Sequence, residues 1–242
     1  MKKVFITALI LTLTFSMEAQ SWWNNKRIKG NGNVTTITRN TGDYDAVSVG
    51  GFFDVILVKG NEGKITIEGE ENLLEYIVTE VSGGTLKIKT EKNVNLKTTR
   101  KLVVTVPVEE IEGVSLGGSG NVRSETRLKA DEFDVNLGGS GNITLDLDAN
   151  NVNSSIGGSG NIKLSGKADY MKSSIAGSGT IKAYDLKVNS IKASIAGSGD
   201  IRVSVKDEIK ATVAGSGSIY YKGNPPKIKT KSVGSGSVVS RN

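Results

Sequence analysis

A glycine-serine-glycine turn recurs seven times in the second half of this 242-residue chain. The central serines are Ser119, Ser140, Ser159, Ser178, Ser198, Ser216 and Ser235, separated by 21, 19, 19, 20, 18 and 19 residues. A fixed period of this size marks a solenoid, in which each repeat buries its apolar side only against its neighbours.

The columns around the serines say which solenoid. Three residues before them stand Leu116, Leu137, Ile156, Ile175, Ile195 and Val213; seven before stand Phe133, Val152, Met171, Ile191, Ile209 and Ile228. Three after them stand Val122, Ile143, Ile162, Ile181, Ile201 and Ile219. Small or polar residues alternate with these, and period two means strand. Nine before each serine, Asp131, Asn150, Asp169, Asn189 and Asp207 form a column of residues that favour turns, which reads as the opposite corner. The expectation is an all-β, two-sheet parallel β-helix with coils of about 19 residues, rising about 4.8 Å per coil. Glycine allows the positive φ of a sharp corner.

Thirty glycines, three prolines and few aromatic residues would also suit a disordered chain, but disorder keeps no register. Residues 1–19 read as a signal peptide: Lys2 and Lys3, an apolar run, then Ala19. Export to the periplasm, cell surface or medium is expected, with no membrane segment after signal removal. There is no cysteine, hence no disulfide and no lipid-anchor cysteine. Residues 20–41 are read as an N-terminal cap, with Trp22 and Trp23 either a lid over the first coil or an exposed patch that contacts a partner. Residues 42–242 read as one β-helix domain, irregular over 42–110 and regular over 111–242. In the irregular part, strands are expected at 46–49, 53–58, 65–68, 76–81, 86–89 and 102–106, with a helical turn near 70–75. The register is expected to lock only after Val108.

Gly51-Phe52, Asn72-Leu73-Leu74, Gly84-Thr85-Leu86-Lys87-Ile88 and Thr105-Val106-Pro107, followed by serial GSG turns, resemble the head GIN domain family of autotransporter adhesins over residues 43–239. That resemblance implies an exported bacterial protein with a right-handed, pectin-lyase-like β-helix and a role in cell adhesion. It implies no catalytic residues.

The residues themselves exclude several chemistries. A serine nucleophile needs a base, and the chain has no histidine. The GxSxG elbow fails because Asn121, Asn142 and Asn161 stand where its last glycine would be. A calcium β-roll needs aspartate where Val122, Ile143 and Ile162 stand, at a period of nine. No metal and no cofactor is expected. The rival to a non-enzymatic reading is a carbohydrate-active β-helix using Asp131, Asp169 and Asp207. These recur every second coil, about 9.6 Å apart, near the carboxyl separation of an inverting glycosidase.

Two basic stripes remain. Lys172, Lys192, Lys210 and Lys229 lie six before their serines; Lys163, Lys182 and Arg202 lie four after theirs. Stacked like charges do nothing obvious for stability. They read either as solvated stems covering the sheet or as a track for an anionic polysaccharide on a cell-surface or envelope component. Beside the first stripe, Ser115, Asn136, Ser155, Ser174, Ser194 and Thr212 offer hydroxyl and amide partners. Nucleic acid is not expected, because the stripes lack aromatic stacking platforms. An envelope scaffold and a homo-oligomer are left open.

Overall fold

The apolar columns counted from the serines are the core of the molecule. The computed structural model describes residues 26–241. In chain order the elements are β1 (Lys26–Lys29), β2 (Val34–Asn40), β3 (Ala46–Gly51), β4 (Asp54–Lys59), β5 (Lys64–Glu70), α1 (Glu71–Leu74), β6 (Ile77–Ser82), β7 (Thr85–Thr90), β8 (Val94–Lys97) and β9 (Val103–Val108). They continue as β10 (Gly113–Gly118), β11 (Asn121–Gly139), β12 (Asn142–Gly158), β13 (Asn161–Gly177), β14 (Thr180–Gly197), β15 (Asp200–Gly215), β16 (Ser218–Lys222), β17 (Lys227–Val233) and β18 (Ser237–Ser240). The stacked coils form a β-solenoid of about 7 turns.

From β10 to β15 each coil pairs in parallel with the next. Phe133, Val152, Met171, Ile191 and Ile209 lie in register and are buried, as are Leu137, Ile156, Ile175, Ile195 and Val213. On β12 the buried positions run 143, 145, 147, 149 and then 152, 154, 156. The alternation slips by one residue at Asn150-Asn151, which is the Asp/Asn corner, and again at the glycine corner. Ile228 departs from its column: it pairs with Ile209 but is 49% exposed, because among the described residues it is the last rung of the column. Inside the core, Ser154 and Ser173 are buried in one column and hydrogen-bond each other at 2.8 Å, which satisfies both hydroxyls.

The glycine corner depends on backbone packed against backbone. The Gly139 carbonyl accepts the N–H groups of both Ser159 and Gly160, at 2.9 and 3.1 Å, and the Gly158 carbonyl does the same for Ser178 and Gly179. The pairing thus crosses the bend from coil to coil. Gly158 has φ +146, and a Cβ there would stand 2.4 Å from the Gly139 oxygen. No side chain fits between the two peptides.

The first half of the chain departs from the sequence reading. Regular coils begin at Ala46, not after Val108: β3 pairs in register with β10, aligning Gly50 and Gly51 with Gly117 and Gly118. β4 pairs with β11, aligning Val55 with Val122. Here the corner reads GGFFD, with Phe52 and Phe53 in the places of Ser119 and Gly120, and the Phe53 ring is buried. On the other side of this coil lie β7, paired with β3, and β9, paired with β4. The chain therefore runs outward from β4, forms the outer layer, and crosses back past β3–β4 to start β10. The outer end is not a set of irregular coils but is closed by antiparallel pairs, β6 with β7, β5 with β9 and β2 with β5. The helical turn falls at α1, and β1 with β8 forms a separate two-stranded parallel sheet. Residues 1–19, read above as a signal peptide, and the tryptophan pair lie outside the described residues.

Glu70 fastens this end. It is the one charged side chain among the buried described residues. Its carboxylate accepts the N–H of Gly32 (2.8 Å), the N–H and hydroxyl of Thr99 (2.7 and 2.6 Å) and the N–H of Arg100 (3.2 Å). Burial opposes its ionisation, but these bonds outweigh that effect and hold it at about 2, below the ordinary 4.5. Three chain segments converge on one group.

Two outcomes follow from this architecture. Gly158→Ala should cost at least about 2 kcal/mol. Gly157→Ala, whose Cβ would meet nothing within 4 Å, should stay within about 0.5 kcal/mol; equal effects in denaturant melts would contradict the corner geometry. Because the Glu70 carboxyl is depressed in the folded state, its contribution is complete above about pH 4.5 and is lost as pH falls toward 2. The melting-temperature gap between wild type and Glu70→Gln should therefore be open at neutral pH and close across that window.

Candidate functional site

Both basic stripes stack in register. Lys163 pairs with Lys182 and Lys182 with Arg202 on one wall; Lys172, Lys192, Lys210 and Lys229 pair in succession on the other. Outward-pointing positions of successive coils must align once the inward ones do, so this stacking follows from the core. The two stripes lie on opposite sides of the Asp/Asn corner and do not converge on one point. Lys210 has Glu208 at 3.2 Å, Lys163 has Asp185 at 3.9 Å and Arg202 has Asp200 at 3.5 Å, the cations exposed and Glu208 and Asp200 half-buried. Lys172, Lys182, Lys192 and Lys229 form no ion pair among the described residues. Surface pairs of this kind contribute little to stability, and four of the seven stripe cations are left without a paired carboxylate.

Charge is divided along the axis. Residues 109–150 carry nine carboxylates against three basic side chains, whereas residues 151–241 carry fourteen basic side chains against five carboxylates. Beside the lysines of the second wall, Ser115, Asn136, Ser155, Ser174, Ser194 and Thr212 continue in register from Ser48. The next outward column is glycine or alanine from Gly50 through Gly117, Gly138 and Gly157 to Ala176, Ala196 and Ala214. This wall is flat, with lysines along one margin.

The Asp/Asn corner is a hydrogen-bonded ladder. Asn150 donates to Asp131 at 2.8 Å and Asn189 to Asp169 at 2.9 Å. An amide between two carboxylates replaces a repulsion with a bond, which accounts for the alternation. A second ladder, absent from the sequence reading, runs beside the glycine corner: Asn121 donates to Asp54 (2.7 Å), Asn142 to Asn121 (2.9 Å) and Asn161 to Asn142 (3.0 Å). The signal for it was the N of GGSGN. A depression of about 640 Å³ lies where the chain crosses back and is lined by Asp43, Asp45, Glu62, Glu109, Glu110 and Lys59, among others. Among the described residues no three His, Cys, Asp or Glu side chains are grouped to hold a metal. The Tyr44 hydroxyl there donates to the Pro107 carbonyl, and burial, with the nearby Glu62 charge, pushes its pKa up.

One expectation about the stripes is corrected. Aromatic residues do adjoin them: Tyr220 pairs in register with Arg202, occupying the next rung of the Lys163–Lys182–Arg202 column. Arg202 and Arg241 lie 5.8 and 5.0 Å from the Tyr220 ring centre, and Lys222 lies 4.8 Å from that of Tyr184. Counting four residues past Ser216 would have found Tyr220. Tyr184 escapes such counting because the register shifts between β13 and β14 just before it.

The model of the family described as "Putative auto-transporter adhesin, head GIN domain" matches residues 43–225. The chain belongs to this family. The chain also resembles solved structures over most of its length. These include a protein of Parabacteroides distasonis described as a "putative lipid binding protein", 31% identical, covering 90% of this chain and 100% of that one at a TM-score of 0.75. A "putative adhesin" of Bacteroides fragilis is 27% identical over 88% of this chain and 100% of that one, with a TM-score of 0.84. One from Parabacteroides merdae is 27% identical over 90% and 100%, with a TM-score of 0.70. Among curated proteins none matches the sequence. The family and these neighbours point to an adhesin-like role, and no helix among the described residues is long and apolar enough to cross a membrane.

For this head GIN domain the amide ladder is a stabilising device. Asn142→Ala removes one ladder bond on each side and should cost about 1–2 kcal/mol in urea unfolding. Asn142→Gln, too long to keep the rung spacing, should not restore it.

Proposed function

We propose that this protein is an exported, non-enzymatic adhesion module whose basic coils hold an anionic polysaccharide of a cell surface or envelope. The observation that carries the reading is the axial division of charge, fourteen basic against five acidic side chains beyond residue 150, on columns kept in register by the core. A row of like charges repels itself and is a liability to the folded chain unless a polyanion meets it. The neighbouring serine and alanine columns project little, so an extended polymer can lie along the rungs and find a cation at each coil. Many weak contacts in one line then add. The acidic half would turn the same polymer away and fix which end engages.

The rival enzymatic reading draws no support from the corner. Asp131 and Asp169 each accept an amide hydrogen bond from the next coil, and the ladder gives them a structural use. Asp131, Asp169 and Asp207 are exposed, and the depression of about 600 Å³ that reaches this column at Asn189 has no carboxylate in its lining.

Replacing Lys172, Lys192 and Lys210 with glutamine, or Lys163, Lys182 and Arg202 likewise, should weaken binding to an immobilised acidic glycan at least about tenfold at low salt. The salt dependence should flatten as well, with no change on a neutral glycan. Retention that ignores both triple substitutions would remove the polyanion reading. Cleavage products released from the glycan by wild type and lost in an Asp131→Asn, Asp169→Asn, Asp207→Asn variant would restore the enzymatic one.

A further inference from the structure

The cation and tyrosine cluster at the end of the first stripe is more than a continuation of it. Tyr184, Arg202, Tyr220, Lys222 and Arg241 line a shallow depression of about 370 Å³. Its cations are of a different kind from the lysines farther back. Arg202 and Arg241 both lie against the Tyr220 ring and Lys222 lies over Tyr184. Long basic side chains ordinarily lose much rotamer freedom when they grip a ligand. A ring beneath the cation reduces that loss in advance, and a stacked guanidinium keeps its edge N–H groups available for a bidentate partner. Only one carboxylate pairs with the group, Asp200 at 3.5 Å from Arg202; Lys222 and Arg241 form no ion pair among the described residues. The Tyr184 phenol is pushed up by burial, while Arg202 and Arg241 pull it back, so the cluster shares one field.

We infer that this depression is a preorganised subsite for the carboxylate of an acidic sugar, a uronate-type residue of the polymer, held by Arg202, Lys222 and Arg241 with the two tyrosine rims. The inference rests on the reading of the basic coils as a polyanion surface, which it deepens by naming a ligand class and a point of selectivity. Its position supports a sugar of a chain rather than a lipid headgroup. Arg202, the last cation of the Lys163–Lys182–Arg202 column, and Tyr220, the next rung, both line the depression, so a polymer following the column arrives in it. The exposed large apolar side chains that could enter a bilayer, Val34, Phe52, Tyr170, Ile228 and Val233, do not line it. The lysine columns take any polyanion; fixed guanidinium forks take a planar carboxylate by geometry.

The test measures binding of oligogalacturonate by calorimetry to the full chain and to four variants. These are Arg241→Gln, Tyr220→Leu, the control Lys231→Gln, which makes the same charge change as the first outside the depression, and a Lys163→Gln, Lys182→Gln ladder variant. Arg241→Gln and Tyr220→Leu should each weaken binding about fivefold or more with unchanged melting temperature, and Lys231→Gln less than twofold. Tyr220→Leu is the sharper variant, because it removes no charge. If Arg241→Gln and Lys231→Gln weaken binding equally and Tyr220→Leu does not, the subsite is refuted while a loss in the ladder variant keeps the polyanion surface. If no variant matters, both readings fall. If wild type instead binds vesicles of phosphatidylcholine with phosphatidylserine through Tyr220 and Arg241 and ignores the oligogalacturonate, the acidic-sugar assignment is overturned in favour of a membrane headgroup.

Discussion

The whole architecture depends on one short distance, the approach of a glycine to the carbonyl of the glycine one coil before. There the chain turns sharply while its backbone still pairs, because a single oxygen accepts two N–H groups from the rung above. Removing the side chain at that point lets the corner stack at the same rise as the strands. With the corner and the strands in step, every other column is set: inward residues fall on inward ones, and outward charges on outward charges. The core and the surface pattern are thus two results of the same constraint.

That dependence explains what could be read from the residues alone. Ile156, Ile175 and Ile195 were legible because strict period two, anchored on a corner, leaves no second place for them. The coil from Ala46 to Lys59 was not. Its corner replaces serine and glycine by Phe52 and Phe53, and a search keyed to GSG passes over it, although Gly50, Gly51 and Val55 keep their places. The back-crossing was out of reach for another reason. Alternation says that one face of β7 or β9 is buried, but not which strand lies beside it, and spatial order need not follow chain order. On the surface, the lysine columns came directly from counting. Tyr184 did not, since one extra residue in its coil shifts the register and breaks the count.

If the basic coils hold a polyanion as proposed, the division of charge is what makes that binding selective. A flat wall cannot enclose a ligand, so discrimination must come from spacing, sign and a few fixed contacts. The coil rise supplies spacing and the basic half supplies sign. The tyrosine-backed arginines supply points where a side chain is already held. Polar ladders at both corners add hydrogen bonds between neighbouring coils on the outside, where an apolar core gives no support.

The return of the chain across β3–β4 has a consequence for how such a molecule can vary. The earliest coil is enclosed on both sides and the outer end is sealed by antiparallel strands and the Glu70 clasp, so nothing can be added there without rebuilding the closure. Beyond β11 each coil meets only its two neighbours through the same columns. Gain or loss of whole repeats is therefore confined to one direction, and the reach of the rod becomes a quantity that evolution can adjust in single steps while the closed end stays as it is.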